Sequence, residues 1–260
     1  MPNGLPPVIS VGGLELGGSG KTPVAMEVAR RLGARGLRVA LLSRGYRGGD
    51  EARMAAARLP FAIVRTAPDR ARLAAEIAPL CDAIVLDDGF SHRRLPRDLD
   101  VLVRDPAAPR AWLLRERESA ARRADLRWWH RRDGGAPDER PHVASRLVAR
   151  DPAALAGRAV FLLTGIARPA AVRALVASLG ARVVGERRFR DHHAFSPRDL
   201  ARAWRDARRA GAAAVVTTEK DSVRIAAAPD DPPLVTLVVD VEVTSGESLL
   251  DAALARTCGF

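Results

Sequence analysis

Gly17-Gly18-Ser19-Gly20-Lys21-Thr22 decides how this chain is read. The apolar run Val8-Ile9-Ser10-Val11 precedes it, and Pro23-Val24-Ala25-Met26-Glu27-Val28-Ala29-Arg30-Arg31-Leu32 follows with helical spacing. Strand, glycine loop and helix in that order are the setting in which such a loop cradles phosphate. Glycines let the backbone turn tightly and point N–H groups at phosphate oxygens, and the helix start adds its positive dipole end. Lys21 is placed to reach the β- and γ-phosphates, and the Thr22 hydroxyl to hold Mg²⁺. Pro23 falls in the first turn, where a missing N–H costs nothing. One position departs from G-x-x-x-x-G-K-[ST]: Glu15 stands where the first glycine would fall, and its carboxylate repels phosphate unless it is turned away.

Working outward, the order is repeatedly strand then helix, which predicts an α/β fold with a mostly parallel sheet and helices on both faces. Residues 37–42 read as the second strand, and Ser43-Arg44-Gly45-Tyr46 as a loop at its carboxyl end, where such sheets bind ligands. A helix is expected from Asp50 to Leu59 with Asp50 as N-cap, and another from Asp69 to Leu80. Ala83-Ile84-Val85-Leu86-Asp87-Asp88-Gly89 is an apolar strand ending in acid, the usual second half of a phosphate-loop site, with Asp87 or Asp88 on Mg²⁺ and Asp87 favoured. The pattern blurs from Asp105 to about Arg150, which holds Trp112, Trp128 and Trp129 and the turn-like Gly134–Asp138. A boundary placed there divides the chain into a P-loop nucleotide-binding lobe over 1–145 and a smaller C-terminal α/β lobe over 146–260 that closes the site. In the second part Ser196 is read as a helix cap with Pro197 at the first position, and residues 247–256 as a closing helix.

Composition narrows the class. At 260 residues and 47% hydrophobic content the chain can bury a sizeable core. No run is long and apolar enough for a bilayer, and no signal peptide is visible. Two cysteines, Cys81 and Cys258, suggest neither a metal cluster nor a disulfide framework and fit a reducing cytoplasm. The net charge is +11, yet of the 42 basic residues only Lys21 and Lys220 are lysines. That bias makes the arginines mostly solvated surface, and 4% aromatics that do not interleave with them argue against a nucleic-acid platform. Lys220 reads either as a neighbour of the nucleotide base or, preferably, as the partner of a carboxylate at a helix start.

Five motifs in order then carry a resemblance. They are Val11 to Pro23, Ser43-Arg44-Gly45-Tyr46, Leu86-Asp87-Asp88-Gly89-Phe90-Ser91-His92-Arg93-Arg94-Leu95, Arg190-Asp191-His192-His193-Ala194-Phe195 and Thr217-Thr218-Glu219-Lys220-Asp221. In this order the chain resembles the tetraacyldisaccharide 4'-kinase family, kinases of lipid A synthesis. The resemblance implies a two-lobed kinase of the P-loop NTPase type using ATP and Mg²⁺ to phosphorylate the 4'-hydroxyl of an acylated disaccharide 1-phosphate. It also implies a peripheral place at the inner face of the cytoplasmic membrane. In the family a Gly-Asp-Glu-Pro motif acts with the histidine of Asp-His. Here Gly49-Asp50-Glu51-Ala52 matches it except at Ala52, which makes Asp50 the base and His192 its partner, able to orient it or to share the proton. Lys21 completes the catalytic set. Family matching places Arg70 and Arg115 near substrate or phosphate, and Arg44, Tyr46, Glu51 and His92 on the substrate side. Two alternatives stay open: a soluble relative acting on another sugar or small hydroxyl compound, and a non-catalytic nucleotide-binding switch.

Overall fold

The computed structural model describes residues 4–15, 20–45, 49–105, 114, 116–131 and 141–260. It divides into two compact units, the first running to Leu147 and resuming over Val241–Phe260, the second covering Val148–Asp240.

The first unit is built on an eight-stranded sheet. Its strands are β1 (Val8–Gly12), β2 (Val39–Ser43), β3 (Ile63–Thr66), β4 (Ala83–Asp87), β5 (Leu99–Arg104), β6 (Leu126–Arg131), β7 (Val143–Ala149) and β12 (Val239–Ser245). They lie in the order β12-β7-β6-β5-β1-β4-β2-β3. β1 is central and parallel to both β4 and β5, with Val11 opposite Asp87 on one side and Val101 on the other. Alternation along each strand sends side chains to opposite faces. Ile9, Val11, Leu41, Val85 and Val101 meet α1 (Lys21–Ala34) through Val24, Ala25, Val28 and Leu32. Val8, Ala40, Leu42, Ile84 and Leu86 meet α3 (Arg70–Ile77) through Ala74 and Ile77. Asp69 caps α3 by accepting from the backbone N–H groups of Ala71 and Arg72, both at 3.1 Å.

Three sequence expectations change. The expected second lobe over 146–260 is shorter, because its last twenty residues return to the first unit. β12 lies next to β7, and α7 (Glu247–Cys258) adds Leu250, Ala253 and Leu254 to the core around α1. Arg31 of α1 fastens that return, donating to Glu247 at 2.8 Å and Asp251 at 3.2 Å. Among its described residues the blurred region contains two strands. In β6 the charges of Leu126-Arg127-Trp128-Trp129-His130 mask an alternation in which Leu126, Trp128 and His130 are buried. Trp128 thus belongs to the core, whereas Trp112 and the expected turn at 134–138 lie outside the described residues. Finally, α2 (Asp50–Arg58) is capped by Gly49, with φ 73°, so Asp50 is its first helical residue and not its cap.

The second unit carries a parallel four-stranded sheet of β8 (Ala159–Thr164), β9 (Arg182–Arg188), β10 (Ala214–Thr218) and β11 (Leu234–Leu237), in the order β11-β10-β8-β9. Leu155, Val160, Leu162 and Val216 pack with Val176 of α4 (Pro169–Ser178). On the other side Phe161, Leu163 and Val215 pack with Leu200, Ala203, Trp204 and Ala207 of α5 (Pro197–Arg209). Ser196 and Asp199 form a reciprocal capping box at the start of α5, as the Ser-Pro pair predicts.

Candidate active site

Lys21 and Thr22 are the first residues of α1, and β4 ends beside them in Asp87. The Thr22 hydroxyl donates to Asp87 Oδ2 at 2.8 Å. Asp87 Oδ1 is buried and has no hydrogen-bond partner among the described residues. An uncompensated buried carboxylate oxygen is costly, and the carboxyl responds. Burial first, then the negative charges of Glu51 and Asp88, push Asp87 up to about 7, against the Thr22 hydrogen bond and Lys21. A hydroxyl and a carboxylate oxygen are hard donors of the kind Mg²⁺ selects. Among the described residues no group of three or more His, Cys, Asp or Glu side chains could hold a metal. Mg²⁺ sites in kinases are of this sparse kind, completed by substrate phosphates and water, so the residues present fit the ion.

Lys21 Nζ donates to the Glu15 carbonyl at 3.2 Å and lies 3.8 Å from Asp88. Glu15 therefore supports the lysine through its backbone. Its carboxylate is 3.7 Å from Arg104, so the charge that replaces a loop glycine is met by a guanidinium. Asp88 takes φ 56°, an uncommon conformation for a residue with a side chain. Arg70, buried at the start of α3, holds that turn by donating to the carbonyls of Asp87 at 3.0 Å and Asp88 at 3.1 Å. The structure thus places Arg70 beneath the acidic turn as its support. His92 follows the same turn, with its N–H on Gly89 O at 2.8 Å. Burial and then Arg70 lower its pKa, which favours the neutral ring.

Asp50 is buried, and Oδ1 accepts from Arg53 at 2.8 Å. Glu51 follows it in the first turn of α2 and is the neighbouring charge felt most by Asp87. Electrostatics thus links the Gly-Asp-Glu segment to the metal-type pair. Arg44 is exposed just beyond β2. Gly17, Gly18, Ser19, Tyr46 and Arg115 lie outside the described residues.

In the second unit His192 and its neighbours form their own cluster. Lys220 Nζ is 3.1 Å from His192 Nε2 and donates to Asp191 Oδ1 at 3.2 Å. His193 turns away, stacked on Phe189 with ring centroids 4.3 Å apart and bonded to Asp199 at 3.1 Å, which fits packing.

One residue that motif reading passes over is His130. Its ring is fully buried directly beneath Gly20, the last loop glycine, and a methyl group on Gly20 would collide with it. Ser145 Oγ joins it to the core, 2.9 Å from His130 Nδ1 and 2.7 Å from Trp128 Nε1. Gly20 also has φ 80°, so close approach and handedness both call for glycine there. The only sequence signal was the buried alternation in β6.

Known proteins resemble this chain over nearly its whole length. The family model described as tetraacyldisaccharide-1-P 4'-kinase matches residues 4–258. A tetraacyldisaccharide 4'-kinase of Anaeromyxobacter sp. (strain Fw109-5) is 45% identical, over 96% of this chain and 83% of its own length. One from Brucella ovis is 33% identical, over 96% of this chain and 85% of its own. The LpxK of Aquifex aeolicus, solved in complex with ATP, superposes with TM-score 0.73 at 25% identity, covering 98% of this chain and 89% of that one. The chain belongs to the tetraacyldisaccharide-1-P 4'-kinase family.

Proposed function

We propose that this protein transfers the γ-phosphate of ATP to the 4'-hydroxyl of a tetraacyldisaccharide 1-phosphate. The observation that carries the reading is the Thr22–Asp87 hydrogen bond at the end of β4, with Lys21 beside it. It is the donor set a phosphate-loop kinase needs, in a chain of that family. Thr22 and Asp87 would hold Mg²⁺, which supplies neutralising charge at the phosphates when bound. Lys21 pairs with the β- and γ-phosphate oxygens in place of the Glu15 carbonyl. Asp88 and Arg70 keep the acidic turn in shape. Asp50 accepts the proton as the O–H bond of the 4'-hydroxyl breaks. A bond forms from that oxygen to the γ-phosphorus, and the bond to the β–γ bridging oxygen breaks to release ADP. His192 acts with Asp50. Arg44, Tyr46, Glu51, His92 and Arg115 belong to the substrate side.

The acyl chains of the substrate partition into a bilayer, so the protein works at a membrane surface. Among the described residues no helix is long and apolar enough to cross one. The test is conversion of the disaccharide 1-phosphate to the 1,4'-bisphosphate by purified protein with ATP and Mg²⁺. Asp50→Asn should lower kcat by about 100-fold or more with KM for ATP little changed. A folded protein that converts unacylated sugars but not the lipid would overturn the reading.

A further inference from the structure

His192 is a non-glycine residue with φ 61°, and the backbone around it is pinned from below. Its N–H donates to Gly165 O at 3.1 Å. The same carbonyl takes Arg224 Nη2 at 3.1 Å, and Arg224 Nη1 reaches His193 O at 2.9 Å. Asp221, wholly buried in the short helix α6 (Glu219–Ser222), accepts from Gly165 N at 3.0 Å and pairs closely with Arg224. A Cβ on Gly165 would sit 3.2 Å from Asp221 Oδ1, so the approach depends on glycine. The segment Thr218 to Arg224 is therefore a platform for residues 191–193.

Lys220 is the part of that platform that reaches the ring. Its Nζ is 3.1 Å from His192 Nε2 and 3.2 Å from Asp191 Oδ1. Asp191 Oδ2 is 3.6 Å from the same Nε2, too far for a hydrogen bond. An ammonium group has donors and no acceptor, so the contact requires Nε2 to present its lone pair. The proton of the neutral ring then resides on Nδ1.

We infer that Lys220 is a positioning residue for the phosphoryl transfer, locking His192 in the tautomer protonated at Nδ1. This rests on the reading of His192 as the partner of the base, and it decides between the two roles open to that partner. With Nε2 engaged by Lys220, His192 donates through Nδ1–H to an anionic oxygen, a carboxylate or a phosphate. The substrate proton goes to Asp50 and not to the imidazole. Asp191 holds the lysine in place.

The full chain labelled with ¹⁵N-histidine tests this, with the His192 signals identified by their loss in His192→Asn. The expected spectrum has His192 Nε2 in the unprotonated range and Nδ1 in the protonated range. Lys220→Met should move the pair toward the opposite tautomer and lower kcat by about 10- to 100-fold, with KM for ATP unchanged. Lys220→Arg, which keeps a donor, should restore most of both. If His192 carries its proton on Nε2 in the unmodified chain, or keeps its spectrum in folded Lys220→Met, the inference is wrong. Full turnover in His192→Asn would sink the assignment of His192 to the chemistry, whereas the spectrum alone judges the lock.

Discussion

Replacing Asp87 by Asn should stabilise the metal-free protein while abolishing its activity. In the native first unit the carboxyl is pushed from 3.8 to about 7 by burial and by Glu51 and Asp88. Folding therefore takes up a proton between those two values. A raised acid pKa contributes stability at low pH that is lost as pH rises toward 7. At about 1.4 kcal/mol per pH unit, the ionised carboxylate at pH 8 costs on the order of 4 kcal/mol relative to the protonated one. Asparagine is nearly isosteric, keeps an acceptor for the Thr22 hydroxyl and carries no charge. With EDTA present, Asp87→Asn should exceed the unmodified protein in stability by up to about 4 kcal/mol at pH 8 and match it near pH 4. The two units need not unfold together. The suitable assay is native-state hydrogen exchange of β1 and β4 amides, comparing both proteins at the same pH so that intrinsic rates cancel. Saturating Mg²⁺ and ATP should reverse the order, because only the unmodified protein gains binding energy through the carboxylate. A stability difference that stays flat from pH 4 to 8, or a less stable variant at pH 8, would refute the buried-charge account.

Gly20→Ala places a methyl group in the His130 ring at a φ of 80°. It should lower stability by about 1–3 kcal/mol and raise KM for ATP, read by thermal melting and steady-state kinetics. Asp221→Ala leaves the Arg224 guanidinium buried without its carboxylate. A loss of about 3–5 kcal/mol, confined to exchange of second-unit amides, is expected; a change under 1 kcal/mol would show the pair to be dispensable. Burial and then Asp98 push the Cys258 thiol up to about 11. Alkylation at pH 8 should be much slower than for a free thiol, and should approach it only in denaturant.

Much of the site was legible in the chain because its chemistry is local. Lys21 and Thr22 open a helix directly after a glycine loop, and Asp87 ends an apolar strand; both facts follow from short-range order. Gly49-Asp50-Glu51 was legible as a motif, but its helix begins one residue earlier than a capping aspartate implies, because glycine at φ 73° already makes the turn. Arg70 was placed near substrate or phosphate by family matching, and the structure adds that its Nη1 donates to the carbonyls of Asp87 and Asp88. No local pattern reveals that an arginine also braces a turn remote in sequence. His130 and Lys220 were invisible as neighbours of Gly20 and His192 for the same reason, each being remote in sequence from the residue it meets.

Taken alone, then, the amino-acid order determined the parallel α/β class, the phosphate loop and the acidic strand end, since periodicity and turn chemistry act over a few residues. Tertiary structure decided which unit owns the last twenty residues, where the Glu15 carboxylate goes and what holds the His192 ring. Those outcomes depend on burial and on pairings such as β12 beside β7, and such energies exist only once distant segments have packed.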